Sequence, residues 1–459
     1  MKNISDAVVA YQNDKFDEAE KIALDILKVD ECSEEAIDVL SAIYLKTGQL
    51  DFVAGARKDS LKTIRQIAVY LYNLQMYEQS MFFYKKSLSL EPNDYVGLNN
   101  LGLIYECLDD YKNAQIAYEK SLKVMPNYYA YYNLGVIFRM HKDVQKSLQY
   151  LKKALSYKPE ETEVNYSLGM SYLMGHNFEE GYKYFLKRKT KGKEQLKNLW
   201  DGEKHQDKTV LVFCDYGFGD AIMFSRYFTF LKSCFSKVKV FIRSPLLNLF
   251  KNSFENIEFF TNMQGIQYDY SVLAMDLPYF LKMDFSNIPY PEGYLKADEQ
   301  KCNEYDEKYF KTDKLKVGVV AFSGDKAKRN ARKRSIGFEK LQKLSEIQNI
   351  KLYSFQKKDE FCPCVPCEYV DLGSTFSDFS DTAAALKNLD VLVSVDTSVL
   401  HLAGALGVKS YLMLPYNSEW RWFDAKNPTP WYKSVKLFSQ KTFDDWQGVV
   451  DEICEDLES

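Results

Sequence analysis

The chain lacks a membrane-spanning segment: in 459 residues no apolar run reaches the roughly 18 residues that a spanning helix needs. Its opening, MKNISDAVVAYQNDKFDEAEK, lacks the basic and then apolar order of a secretory signal, so the expected location is the cytoplasm. A surplus of positive charge is missing too. Sixty Lys and Arg face 64 Asp and Glu, a formal net charge of -4, which argues against a general nucleic-acid binder. Nine scattered cysteines, an odd number, supply no disulfide framework and fit reduced thiols. Only Cys362, Cys364 and Cys367 cluster, in FCPCVPCE, and three thiols with no fourth ligand nearby read as a Pro-containing loop before they read as a metal site. The dinucleotide fingerprint GxGxxG is absent, which excludes a nicotinamide enzyme of the usual kind. No Asp-x-Asp element stands at a strand end, so no metal or other cofactor is expected in the chemistry.

What is present begins with a repeat. DYVGLNNLGLIYECLDDYKNAQIAYEKSLKVMP (94–126) is followed at once by NYYAYYNLGVIFRMHKDVQKSLQYLKKALSYKP (127–159). Gly102, Gly135 and Gly169 recur at 33 and 34 residues, as do Pro92, Pro126 and Pro159. This is the tetratricopeptide period: two helices per unit, a small residue where they touch, and Pro closing the second helix. Looser units precede and one follows, so about six are expected over residues 1–189, stacked into an α-solenoid of the kind that binds a polypeptide. Asn100 and Asn133, just before the repeated Leu-Gly, are candidate peptide ligands, because an amide both donates to and accepts from a backbone. The alternative is an exposed Asn or one that bridges helices.

After a charged linker the pattern becomes strand, turn, helix. TVLVFC, KVKVFIR, IEFF and YSVLAM form one series; KLKVGVVAFSG, IKLYSFQ, YVDLG, DVLVSV and SYLMLP form a second. Strands interleaved with helices build parallel sheets, here two in succession, and ligands of such folds bind at the carboxyl ends of strands.

Three strand-end loops carry candidate chemistry. DYGFGDAI holds Asp215, Tyr216, Gly217 and Gly219 in a tight turn, with Asp220 opening a helix as a cap or as a base. SGDKAKRNARKRSIGF crowds Lys326, Lys328, Arg329, Arg332, Lys333 and Arg334 after a strand, where they hold phosphate or merely face water. VLVSVDTSVLHLAGALG places Asp396, Thr397 and Ser398 where a buried strand gives way to a helix carrying His401, a position whose unpaired backbone N–H groups and dipole favour an anion. Thr397 or Ser398 as a plain cap, and His401 as a packed core residue, are the competing readings. Trp420, Arg421 and Trp422 in EWRWF wall a nucleotide pocket or fill a core, and Gln356 after KLYSF is a weaker candidate for a nucleobase or ribose contact.

GFGDAIMFSRY, RSIGF, DLGSTFSDFSDTAAALKNLDVLVSVDTSVLHLAGALG and WRWF with PWYKSVKLF together resemble the bacterial tetratricopeptide proteins fused to a heptosyltransferase-type glycosyltransferase domain. The resemblance spans nearly the whole chain. It implies a two-lobed GT-B fold of Rossmann-like halves, with residues 190–300 as the acceptor lobe and 301–459 as the nucleotide-sugar lobe ending in a helix. Position by position it makes Asp220 the base, Arg334 a phosphate ligand, and Asp396, Thr397 and His401 the diphosphate element. Tyr216 departs from the usual Gln and Gly337 from the usual Pro, so donor or acceptor preference differs. The expected function is metal-independent hexosyl, heptosyl or related glycosyl transfer from a nucleotide-sugar, with a protein acceptor presented by the repeats, flagellin-like by resemblance. Two alternatives stand beside it: an inactive transferase fold serving as a protein-binding scaffold, and a transferase acting on a lipid-linked or free glycan.

Overall fold

The computed structural model describes residues 3–29, 33–47, 61–189, 196–214, 217–324, 333–357, 369–423 and 428–458. Two compact units divide between Val164 and Asn165. The first is helical and runs through α1 (Ile4–Gln12), α2 (Phe16–Val29), α3 (Glu34–Lys46), α4 (Leu61–Asn73), α5 (Tyr77–Leu90), α6 (Tyr95–Cys107), α7 (Tyr111–Val124), α8 (Tyr128–Met140) and α9 (Val144–Tyr157). Helix α10 (Thr162–Met174) crosses the division, and α11 (Phe178–Phe185) belongs to the second unit.

The repeat has a physical reason at each of its marks. Helices pack as pairs, α4 on α5, α6 on α7 and α8 on α9. A Cβ added at Gly102 would lie 2.4 Å from the Tyr118 ring and one at Gly135 2.5 Å from Leu151, so only glycine lets the two helices of a pair meet there. Side chains of Asp94, Asp110, Asn127 and Asp143 accept from the first-turn N–H groups of α6, α7, α8 and α9. Between the members of each pair the chain turns on a left-handed residue: Gln75, Asp109 and Lys142, each at φ 61°. Pro92, Pro126 and Pro159 stand two residues beyond α5, α7 and α9, where no helical N–H is needed. The candidate asparagines bridge helices: Asn133 is buried and its Nδ2 donates to Asn99 Oδ1 at 3.3 Å, while Asn100 Nδ2 donates to Tyr84 Oη at 2.9 Å.

The second unit holds two parallel sheets. The first, β1 (His205–Phe213), β2 (Phe235–Phe241), β3 (Glu258–Phe260) and β4 (Tyr270–Leu273), has the order β3-β2-β1-β4. The second contains β5 (Leu315–Val320), β6 (Ile350–Ser354), β7 (Val370–Asp371), β8 (Val391–Val395), β9 (Ser410–Leu414) and β10 (Val435–Ser439), in the order β10-β9-β8-β5-β6-β7. In both, the first strand sits inside and the chain reverses its direction of travel after the third, the doubly wound order with a crevice at the switch. Strands β8 and β9 are buried at every position, as parallel strands covered on both faces must be.

Helices cover these sheets: α12 (Phe218–Phe224), α13 (Leu247–Ser253), α14 (Leu277–Phe280), α15 (Glu299–Tyr305), α16 (Phe379–Leu386), α17 (Ser398–Ala405) and α18 (Trp446–Glu458). Val317, Val319, Val391, Val393, Tyr411 and Met413 form one core with Trp446, Val449 and Ile453 of α18, which therefore packs on the second sheet. Among the described residues no helix is long and apolar enough to cross a membrane. The cysteine trio at 362, 364 and 367 lies outside the described residues.

Candidate functional site

The second sheet's switch falls between β5 and β8, and the loops leaving these strands are tied together there. Ser323 Oγ donates to the Asp396 carbonyl at 2.8 Å, and Ser323 N–H donates to Ser335 Oγ at 3.1 Å. Gln356, at the end of β6, accepts the Phe322 N–H through Oε1 at 3.0 Å, so that oxygen braces the loop rather than reaching a ligand. Thr397 is extended (φ -142°, ψ 168°) and its hydroxyl accepts from Leu400 N–H at 3.4 Å: it caps α17. Ser398 is the first residue of that helix, whose leading N–H groups face the crevice end of the strand.

Behind the cap sits a buried acid. Asp396 Oδ1 is 3.6 Å from His401 Nε2 and Oδ2 is 3.5 Å from Arg334 Nη1. Burial works against its ionisation, but the His401 imidazole and the Arg334 guanidinium outweigh burial and hold the carboxyl well below the usual carboxylate range. His401 is clamped: Nδ1 is 3.0 Å from Tyr432 Oη, and the ring stacks on Trp422 with centroids 5.4 Å apart and planes at 18°. Asp396 thus orients His401 and Arg334, and both His401 nitrogens point at protein groups.

From the first sheet comes α12, whose N-cap is Gly217, without a side-chain cap. Asp220 is its third residue and is no cap; its Oδ1 accepts from Arg421 Nη2 at 2.5 Å, a contact from one sheet's helix to the other sheet's Trp420–Trp422 turn. Arg421 Nη1 also reaches Glu419 Oε2 at 2.5 Å, and Glu419 Oε1 is 3.7 Å from Arg334 Nη1. Burial opposes the charge of Arg421, yet Asp220, Glu419 and Asp396 push its pKa up. Gly219 makes the approach of α12 to α17 feasible, since an added Cβ would stand 2.9 Å from His401 Cδ2.

Several buried polar atoms in this cluster have no hydrogen-bond partner among the described residues: Arg334 Nε, Ser418 Oγ and Arg421 Nε. A buried donor without a partner is rare and calls for an explanation, an unseen ion or ligand among them.

The sequence did not single out Glu419, Tyr432 or Arg226, and Trp422, a candidate pocket wall, proves to be the plate under His401. Arg226 is fully buried and donates to the Met223 carbonyl at 2.9 Å and across to the Trp431 carbonyl at 2.9 Å, with its guanidinium over the Tyr432 ring. The tail motif with its clustered Trp and Tyr was the available signal. Trp420 is core: 1% exposed, it packs on Phe185 and Trp431. Trp422 also borders a pocket of about 200 Å3 lined by His176, Phe285 and Phe423. Asp215, Tyr216, Lys326, Lys328, Arg329 and Arg332 lie outside the described residues.

Comparison with known proteins bears on the helical region. Residues 96–128 match one tetratricopeptide repeat model, and residues 66–94 and 128–161 match a second. The BBSome complex member BBS4 of Bos taurus is 27% identical over 121 residues, covering 26% of this chain and 23% of that protein. Its Mus musculus counterpart is 26% identical over 110 residues, covering 24% and 21%. The chain therefore spans less than a quarter of these curated relatives. Among solved structures, MamA matches at 18% identity over 39% of this chain and 91% of that one, with a TM-score of 0.28. YrrB, described as a tetratricopeptide protein with an unusual peptide-binding site, matches at 23% identity over 31% and 72%, with a TM-score of 0.27.

Proposed function

We propose that the α/β region is a glycosyltransferase of the two-lobed GT-B kind, moving a sugar from a nucleotide-sugar to a protein that the tetratricopeptide repeats recruit. The observation that carries this reading is the pair of buried guanidinium donors without an acceptor among the described residues, Arg334 Nε and Arg421 Nε, gathered with the α17 N-terminus at the switch of a doubly wound sheet. A nucleoside diphosphate supplies acceptor oxygens to such donors. As the glycosidic bond breaks, negative charge gathers on the departing diphosphate, and Arg334 with the Ser398 and Val399 N–H groups stabilises it without a divalent metal. Asp220, facing this cluster from the other sheet, takes the proton of the acceptor hydroxyl, a poor nucleophile near neutral pH. The repeats support a protein partner, and the scaffold reading shares that support. It is favoured by one observation: the carboxylate assigned as base is held in an ion pair with Arg421.

Titration calorimetry of a nucleoside diphosphate panel in buffer containing a chelator separates the two. Arg334→Ala should lose a charged contact worth on the order of 1.5–3 kcal/mol, or roughly 10- to 150-fold in affinity. Equal affinity in both proteins would remove Arg334 from the site, and absence of binding by every nucleotide would leave the scaffold.

A further inference from the structure

Among the described residues, the ion pairs around Arg421 join three carboxylates to two guanidiniums. Asp220, Glu419 and Asp396 face Arg334 and Arg421. An anionic ligand entering this cluster meets two guanidiniums already neutralised, and gains Arg421 only by displacing one of its carboxylates. The two are not equivalent. Glu419 lies two residues away on the same segment, moves with Arg421 and is shared with Arg334. Asp220 belongs to α12 on the other sheet, so of the two arms it is the one not carried on Arg421's own segment. The fork also has a spare prong, since Arg421 Nε is buried without an acceptor among the described residues.

We infer that Arg421 is a positioning residue that latches Asp220 and exchanges it for a diphosphate oxygen, so that arrival of the nucleotide-sugar frees the carboxylate for the acceptor hydroxyl. This rests on the nucleotide reading above and adds to it a coupling between the donor seat and the base. It makes the order of events chemical: the base is available only when the leaving group is in place. The latch also predicts a sign that a simple base does not, because deleting the carboxylate should help the nucleotide bind.

The test is a double-mutant cycle read as calorimetric affinity for the nucleoside diphosphate that binds the wild-type chain best. Asp220→Asn removes the competing charge and should tighten binding roughly 5-fold or more, the low end of ordinary coupling factors. Arg421→Gln should weaken binding, and adding Asp220→Asn to it should change nothing further, because the latch is already gone. General electrostatic relief would instead tighten binding equally in both backgrounds, and that result overturns the latch. Unchanged affinity in Asp220→Asn also overturns it while leaving the nucleotide site standing. Failure of the wild type and all variants to bind any nucleoside diphosphate overturns both. Should Arg421→Gln not fold, Arg421→Lys keeps the charge but loses the fork, and the effect of Asp220→Asn should shrink in that background.

Discussion

Gly219 stands where α12 packs against α17, and a methyl there would sit 2.9 Å from His401 Cδ2. The imidazole has nowhere to go, since Trp422 stacks beneath it and Tyr432 holds Nδ1. Gly219→Ala should therefore push α12 away from α17 at about 1–3 kcal/mol, the usual range for overpacking. The checks are a lower melting temperature by calorimetry and weaker nucleotide affinity; a variant matching the wild type in both would show that the helices separate freely. This residue also shows what sequence can and cannot reveal at this scale. Asp220, Arg334, Asp396, His401 and Arg421 each stood out because a strand-end loop is chemically special, and the structure gathers them into one cluster. Their pairing was not legible. The Asp220–Arg421 contact joins residues 201 positions apart, and nothing local in GFGD or EWRWF names the partner. Gln356, the weaker candidate, and Trp420, open between pocket wall and core, were also placed at strand ends, yet one oxygen braces a loop and one indole fills a core, outcomes fixed by packing.

Elements were more legible, because periodicity is local. Repeats at 33 and 34 residues locate the glycine contacts and the closing prolines of the described helix pairs directly. Of the strands, β10 was the one overlooked. VKLFS is short, carries an exposed Lys436 and closes the edge of its sheet beside β9, so it shows no buried run like that of β8. The turns inside the helix pairs were hidden for another reason: what recurs is a backbone angle, borne by Gln75, Asp109 and Lys142 without a common side chain. A left-handed conformation costs a non-glycine residue roughly 1–2 kcal/mol, part of which glycine returns through its greater freedom in the unfolded chain. Exposed Gln75, at φ 61°, is the clean position for a test. Gln75→Gly should stabilise by roughly 0.5–1 kcal/mol, seen as a higher denaturant midpoint with an unchanged slope. A loss of stability would mean that the Gln75 side chain contributes more than its backbone strain takes away.

At the scale of the molecule, the repeat pattern and the compact units part company at one helix pair. Periodicity runs on to residue 189, whereas the units divide after Val164, so α11 and its flanks belong with the sheets. The packing says why. Phe178 stacks near Phe423 and Trp431, Phe185 meets Trp420, and Arg188 forms a buried ion pair with Asp276 at 2.6 Å. Two truncations should consequently behave differently. A chain starting at Asn165 keeps these contacts and should unfold cooperatively. A chain starting at Thr190 uncovers Trp420 and Trp431 and takes the guanidinium from buried Asp276. Unpairing such a charge is worth about 3–5 kcal/mol, and each aromatic side chain lost from burial roughly 1.5–3 kcal/mol more. The shorter chain should aggregate or bind a hydrophobic dye at temperatures where the longer one is folded; equal melting of both would show that α11 is dispensable. The longer truncate then serves the functional question. If the repeats recruit the acceptor, the chain from Asn165 should still cleave the nucleotide-sugar slowly with water while mass spectrometry finds the acceptor protein unmodified. Full modification of that protein by the truncate would refute recruitment by the repeats and leave the α/β region alone to recognise its acceptor.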